Sequence, residues 1–422
     1  MSSTAPPLSD LFRSFLRIGL LSFGGPAAQI SVMHRELVED RGWLNEQQFL
    51  RALSLCMLLP GPEAMQLSTY CGWRLRGVPG GLIAGLLFVL PGAAVIAVLA
   101  VLYAELGSVP LVQSLFVGVK AAVIVIVLQA LAKLSRKTLQ SSDRWIIAVL
   151  ALVGIAVLDL PFPLIILGAA LYGAFLGRRQ GADPSDAQNA RLPMRSILIW
   201  LLIWWGPVAG LALLDAHFLT NVALFFSKLA IVTFGGAYAV LAYMAQEVVS
   251  DYGWISAPQM LDALGLAETT PGPLILVTQF VAMLAGHIQG GVTLALAAGV
   301  VALWVTFVPC FLWIFTFAPY VDWLGQQPRL AAALSAITAA VVGVIANLSI
   351  WFAAHVYFSD IHEISFMGAS YALPDPTSFA PLPAGLSVIA ALLLWRFKLS
   401  LPLTLMIAAG LGAGWGMLSG SV

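Results

Sequence analysis

The sequence predicts an all-α polytopic membrane protein built as an internal duplication, and three observations carry that expectation. Of 422 residues, 60% are hydrophobic and only 9% are charged, against about 25% charged in ordinary soluble domains. Several apolar runs approach the ~20 residues that a helix needs to cross a bilayer core. Motifs of the first half also recur in the second at fixed spacing. Such a composition excludes a disordered chain, a coiled coil, a secreted disulfide scaffold and a nucleic-acid binder.

The repeat is the strongest signal. Ser22-Phe23-Gly24-Gly25 recurs as Thr233-Phe234-Gly235-Gly236, and Gly42-Trp43-Leu44 as Gly253-Trp254-Ile255. Pro60-Gly61-Pro62 recurs as Pro271-Gly272-Pro273, and all three pairs share one offset of 211. Glu36 with Glu247, and Arg17 with Lys228, obey it too. The offset grows to 218 at Ala121-Ala122-Val123 and to 239 at Pro163-Leu164. Six helices are expected in the first copy, near 11–33, 50–72, 82–103, 109–134, 145–158 and 162–177. Six more mirror them near 221–246, 261–285, 291–317, 329–355, 383–395 and 399–418. One unpaired run, Ser196–Leu214, lies between the copies, giving about 13 transmembrane helices arranged 6 + 1 + 6. The domains are therefore read as a first repeat (1–177), a linker with the unpaired helix (178–220) and a second repeat (221–422).

Charge supports this arrangement. Alternating spans place fifteen Lys/Arg on the N-terminal side and only Arg35, Arg41 and Arg51 on the other, with Lys120 and Lys228 inside spans. Basic loops stay cytoplasmic, so the N-terminus is expected inside. An odd helix between six-span copies forces opposite orientations, the build of many secondary transporters. The bacterial inner membrane is the expected location. Met1–Asp10 has no basic n-region and no cleavage site before a short apolar core, so the first helix is expected to remain. The odd-numbered Cys56, Cys71 and Cys310 form no CxxC pair and read as small buried apolar residues.

Proline removes a backbone donor and glycine permits unusual dihedrals, so each Pro-Gly-Pro must interrupt its helix near mid-membrane. Open backbone there is tolerated only where protein or a water-filled cavity covers it. The half-helix beginning at Glu63 or Leu274 would then aim free N–H groups and a positive dipole end at an anion. A kink that only shapes packing is the plainer alternative. The Phe-Gly-Gly turns at Phe23-Gly24-Gly25 and Phe234-Gly235-Gly236 read equally as close helix approach or as binding elements.

Ionisable residues inside spans are functional candidates by default. Arg17, Lys228 and Lys120 are the in-span cations that could hold a dianionic substrate; the first two could instead snorkel to an interface, and Lys120 could form a cross-helix ion pair. Glu63 and Glu268 are the acids nearest the breaks, candidates for proton coupling or for a packing ion pair. Asp360, His362 and Glu363 read as solvated loop rather than a metal cluster, and Trp200, Trp204 and Trp205 as interfacial anchors or packing. GxxxxGK[ST], HExxH and GxSxG are absent, so no cofactor, metal or enzyme activity is expected.

The stretches Leu58-Leu59-Pro60-Gly61-Pro62-Glu63-Ala64-Met65-Gln66-Leu67-Ser68-Thr69-Tyr70 and Phe234-Gly235-Gly236-Ala237-Tyr238-Ala239-Val240-Leu241 resemble the chromate ion transporter family. Ala267-Glu268-Thr269-Thr270-Pro271-Gly272-Pro273-Leu274-Ile275 and Gln279-Phe280-Val281 extend the resemblance over the whole chain, in the two-domain form. Ala282-Met283 departs from it where a glycine is expected. The resemblance implies chromate efflux and resistance, powered by the membrane potential or a proton gradient. It brings Gln66 into the substrate set, with a second copy of the chain as a potential partner beside the lipid bilayer. Sulfate, which shares chromate's shape and charge, is the alternative substrate, and a small-anion channel the alternative activity.

Overall fold

The computed structural model describes residues 6–23, 25–177, 193–234, 237–324, 327–366 and 369–419. Helices fill every apolar run of the sequence. The first repeat contributes α1 (Leu8–Leu21), α2 (Pro26–His34), α3 (Glu46–Leu58), α4 (Glu63–Leu106), α5 (Pro110–Thr138), α6 (Ser142–Ala156) and α7 (Phe162–Gly177). The unpaired run is α8 (Met194–Leu213). The second repeat supplies α9 (His217–Val232), α10 (Ala237–Gln246), α11 (Ala257–Thr269), α12 (Val277–Phe317) and the short α13 (Val321–Leu324). It ends with α14 (Pro328–Tyr357), α15 (Pro381–Ala391) and α16 (Leu401–Ser419). Among the described residues, six helical stretches are long and apolar enough to cross a membrane. Two of them, Glu63–Leu106 and Leu274–Tyr320, have 44 and 47 residues, about twice the necessary length. The basic linker residues Arg178, Arg179 and Arg191 lie outside the described residues.

One element departs from an all-α expectation. The stretch after α14 forms an antiparallel hairpin of β1 (Ile361–Phe366) and β2 (Ala369–Pro374), in which His362 pairs with Leu373 and Glu363 with Ala372. Ile364 and Phe366 alternate with Glu363 and Ser365 along β1, the period-2 pattern of a strand. The three cysteines are free and buried, as their apolar context predicts.

The chain forms two compact units, and they do not coincide with the two repeats. One comprises Met1–Ala100, Tyr172–Val240 and Thr270–Leu334; the other comprises Val101–Leu171, Leu241–Thr269 and Ser335–Val422. Each repeat therefore contributes to both.

In the first unit, α4 is a tight helical hairpin rather than a rod. The chain turns at Arg76 (φ −142°) and Gly77 (φ +62°), Ser68 Oγ donates to the Ala84 carbonyl at 3.0 Å, and Gly72 abuts the Gly80 backbone. α12 does the same at Gly290 and Gly291, where Gly286 lies against Leu294 and Ala295. The tryptophans of α8 serve packing: Trp200 stacks on Phe311 at 5.7 Å, and Trp204 Nε1 donates to Ser227 Oγ at 3.1 Å.

The run 11–33, expected as one span, is two helices that meet at a sharp turn. Arg17 on α1 and Glu36 beyond α2 form an ion pair at 3.3 Å. A straight helix would separate their backbones by about 28 Å, whereas the ten side-chain bonds between them span at most ~15 Å. The turn falls between α1 and α2, where Gly25 has φ +83°. A Cβ added there would meet nothing within 4 Å, so Gly25 serves the backbone conformation and not close helix approach. Arg76 Nε donates to the Pro6 carbonyl at 2.6 Å, and Gly19 abuts Leu87, so α1 runs alongside the second arm of α4. The polar segment Glu36–Trp43 contacts Arg17 and lies towards the Arg76 end of that arm. Glu36, 5% exposed, is held from its other side by Arg41 Nε at 2.8 Å, and Arg41 covers the Trp43 ring at 4.9 Å.

In the second unit, α5 is the central helix. Residues Ala121–Val127 are buried without interruption, because α16, α15 and α11 all pack on it. Gly118 meets the Ala408 carbonyl, and Gly412 meets the Ser114 carbonyl. Small residues at such contacts let backbones approach where lipid supplies no hydrophobic drive. Ser387 Oγ donates to the Ala121 carbonyl at 2.9 Å.

Two outcomes follow. Gly118→Leu or Gly412→Val should overpack the α5–α16 contact at a cost of about 1–3 kcal/mol, read as a lowered melting temperature in detergent. Cysteines placed at Trp43 and at Arg76 should be labelled from the same face of the membrane. Labelling from opposite faces would mean that α1 and α2 run straight through.

Candidate functional site

Each Pro-Gly-Pro break in the first unit is held by the residue that precedes the other repeat's Phe-Gly-Gly motif. The Gly61 N–H donates to the Thr233 carbonyl at 2.8 Å, and the Gly272 N–H donates to the Ser22 carbonyl at 2.8 Å. Ser22 and Thr233 are repeat equivalents, as are Gly61 and Gly272. The hydroxyls match as well: Ser22 Oγ donates to the Ile18 carbonyl and Thr233 Oγ1 to the Leu229 carbonyl, both at 2.6 Å. The two motifs of each repeat are thereby brought together across the duplication. Gly61 has φ +121° and Gly272 φ +91°, a region closed to most L-residues. These dihedrals turn each N–H towards its acceptor.

After the first break, the Gln66 N–H donates to the Pro62 carbonyl at 3.1 Å. The N–H groups of Glu63, Ala64 and Met65 precede any helical acceptor. The second break enters α12 through a 3-10 turn at Leu274–Leu276. That turn accounts for the change of repeat offset from 211 at the breaks to 214 at Gly72 and Gly286.

Three glutamines surround the breaks; Gln66 and Gln279 both lie in the family motifs, and of the three only Gln66 was placed in the substrate set. Gln66 Nε2 donates to the Pro60 carbonyl at 2.6 Å. Gln29 Nε2 donates to the Gly272 carbonyl at 2.7 Å, and Gln279 Nε2 to the Ala93 carbonyl at 3.0 Å. Gly92, beside Ala93, abuts the Pro271 carbonyl, so Gln29 and Gln279 bracket the second break. Their exposures are 1%, 0% and 3% for Gln29, Gln66 and Gln279. Gln279 Nε2 also donates to Met283 Sδ at 3.8 Å, and each Oε1 is buried without a hydrogen-bond donor among the described residues. Uncharged donors and orphaned acceptors are thus concentrated where the helices break. Gln29 interrupts the apolar face of α2, which was its sequence signal; Gln279 was visible only within a family motif.

The charged candidates are dispersed. Arg17 is exposed and pairs with Glu36; Lys228 is exposed on α9. Lys120 belongs to the second unit and pairs with Asp262 at 3.6 Å, the cross-helix alternative read from its position. Glu63 is half-buried at the first turn of α4, and Glu268 is buried near the end of α11. A carboxylate at Glu63 interacts favourably with the positive end of its own half-helix. Phe23 is 41% exposed, and Phe234 is half-buried. Gly24, Gly235 and Gly236 lie outside the described residues.

Gln66→Leu and Gln279→Leu should each weaken oxyanion binding by about 1–3 kcal/mol, the cost of one unmade hydrogen bond, or roughly 5- to 150-fold in Kd. Titration of purified, monodisperse variants checks this, and unchanged affinity in both would remove the glutamines from the site.

The family model for chromate transporters matches residues 9–174 and 220–415, once in each repeat. The chain is 32% identical to a chromate transport protein of Pseudomonas aeruginosa, over 97% of this chain and 93% of that one. It is also 32% identical to a chromate transport protein of Cupriavidus metallidurans, over 81% and 82% of the two chains. A probable chromate transport protein of Synechococcus elongatus is 33% identical over 81% and 83%. No solved structure matches. With both repeats matched and relatives aligned along most of its length, the chain belongs to the chromate transporter family.

Proposed function

We propose that this protein exports chromate from the bacterial cytoplasm across the inner membrane, driven by membrane potential and/or a proton gradient, and so confers chromate resistance. The observation that carries this reading is the reciprocal pairing of two broken helices, lined by glutamine amides and half-helix N–H groups. Such donors replace the hydration shell of a tetrahedral oxyanion without a permanent counter-charge. Pro60, Gly61, Pro62, Gln66, Pro271, Gly272 and Pro273 form the binding backbone, with the Phe-Gly-Gly turns shaping it. Glu63 and Glu268 carry the coupling proton. The two repeats lie in opposite orientation, separated by α8, with the N-terminus cytoplasmic.

The energetics favour export. One charge crossing the membrane is worth ~2.3 kcal/mol per 100 mV. A dianion leaving an inside-negative cell at roughly 150 mV gains about 7 kcal/mol, some five decades of gradient. Proton antiport would add to this drive, and proton symport would oppose it.

Everted membrane vesicles containing the protein should accumulate chromate when energised, and lose that uptake when the potential and proton gradient are collapsed. Uptake equal to that of vesicles lacking the protein would overturn the reading. Uptake of sulfate in place of chromate would reassign the substrate.

A further inference from the structure

The second unit holds a buried charged cluster outside the motifs considered above. Asp262 on α11 is 5% exposed. Its Oδ2 accepts from the Tyr103 hydroxyl at 2.7 Å, and its Oδ1 faces Lys120 Nζ at 3.6 Å. That distance is an ion pair and too long for a hydrogen bond, and Oδ1 is buried without a hydrogen-bond donor among the described residues. Close packing builds the cluster: Gly265, nearly one turn beyond Asp262, abuts Val119 beside Lys120. α16 also packs on α11 and carries no ionisable side chain. On α11 itself the other acid is Glu268, and the exposed Glu105 stands two residues beyond Tyr103. Asp262 is thus a buried carboxylate satisfied on one oxygen only. Lys120 is a cation near the middle of a long apolar helix, bound loosely to its single described carboxylate.

A lysine ammonium in an apolar span needs an anion beside it. Either Asp262 or a bound oxyanion can fill that role, and both together would crowd two negative groups around one cation. Taking one proton from water onto Oδ1 neutralises Asp262 and leaves the Lys120 ammonium for the oxyanion. Tyr103 keeps the acid in place in either state through Oδ2.

We infer that Lys120 and Asp262 form a proton-linked oxyanion site, in which Asp262 takes up a proton as Lys120 passes from the carboxylate to a tetrahedral dianion. The inference rests on the transport reading above in its potential-driven form: a proton bound together with the dianion travels with it, so each exported dianion leaves with one net negative charge, which the membrane potential still favours. Binding of the dianion and uptake of one proton are then a single linked event.

The test measures oxyanion affinity of the purified full-length protein from pH 6 to pH 8.5, using chromate and sulfate, with ligand-induced thermal stabilisation as the readout. Asp262→Asn mimics the protonated state, so its affinity should exceed that of the unaltered protein at high pH and match it at low pH. The ratio between the two should grow by about tenfold per pH unit once the carboxylate ionises. Chromate's own protonation cancels in this ratio. Tyr103→Phe removes the donor that stabilises the carboxylate and should move the transition to higher pH, keeping the test available if Asp262→Asn does not fold. Lys120→Ala should abolish the pH-dependent part of binding, which a purely structural ion pair would not do. An affinity ratio that stays constant with pH, or an unmoved transition in Tyr103→Phe, overturns the inference. If the unaltered protein binds sulfate and not chromate, the substrate assignment fails while the linkage is tested on sulfate; binding of neither overturns both.

Discussion

In the hydrocarbon of a bilayer there is no water to accept a hydrogen bond, and an unsatisfied backbone N–H costs several kcal/mol. A chain that breaks its helices there must supply an acceptor for each donor the break releases. This protein meets the constraint with carbonyls from its own other half: Thr233 for Gly61, and Ser22 for Gly272. Pro60, Pro62, Pro271 and Pro273 reduce the demand further, since none has a donor. The first N–H groups of a helix have no acceptor within it, and at the start of α4 they are groups of the kind suited to an anionic substrate.

The exchange of acceptors explains why the compact units cut across the repeats. The first unit must contain the break motifs of both copies, because each is incomplete alone. The second unit is organised differently, around α5, whose uninterrupted buried stretch leaves no polar face except at Lys120. Packing by Gly118 and Gly412 fixes that helix, and the charged side chain is then constrained to meet whatever anion lies beside it.

Much of this was legible in the sequence. Proline and glycine restrict or widen backbone dihedrals regardless of context, so the duplicated Pro-Gly-Pro and Phe-Gly-Gly motifs marked both breaks and their equivalence. The fold-back between α1 and α2 was hidden, because an apolar run has the same composition whether it crosses straight or returns. The Arg17–Glu36 pair and the positive φ of Gly25 show the turn. The β-hairpin was hidden because Asp360, His362 and Glu363 read as a solvated loop, and the alternation of Ile364 and Phe366 with polar neighbours is too short to stand out. Asp262 escaped notice because it lies near the start of an apolar run, where an acid is ordinarily interfacial. Its significance depends on Lys120 and Tyr103, both distant in sequence and joined to it only by helix packing.

The reciprocal N–H to carbonyl links at the two breaks are made by main-chain atoms, which are the same at every residue. Side chains at equivalent places are consequently free to differ: Glu63 stands opposite Leu274, Gln29 opposite Val240, and Arg17 opposite Lys228. A duplicated scaffold joined in this way can present one chemical face to one compartment and a different face to the other. Directional preference can then be tuned residue by residue on either copy without loosening the joint between them.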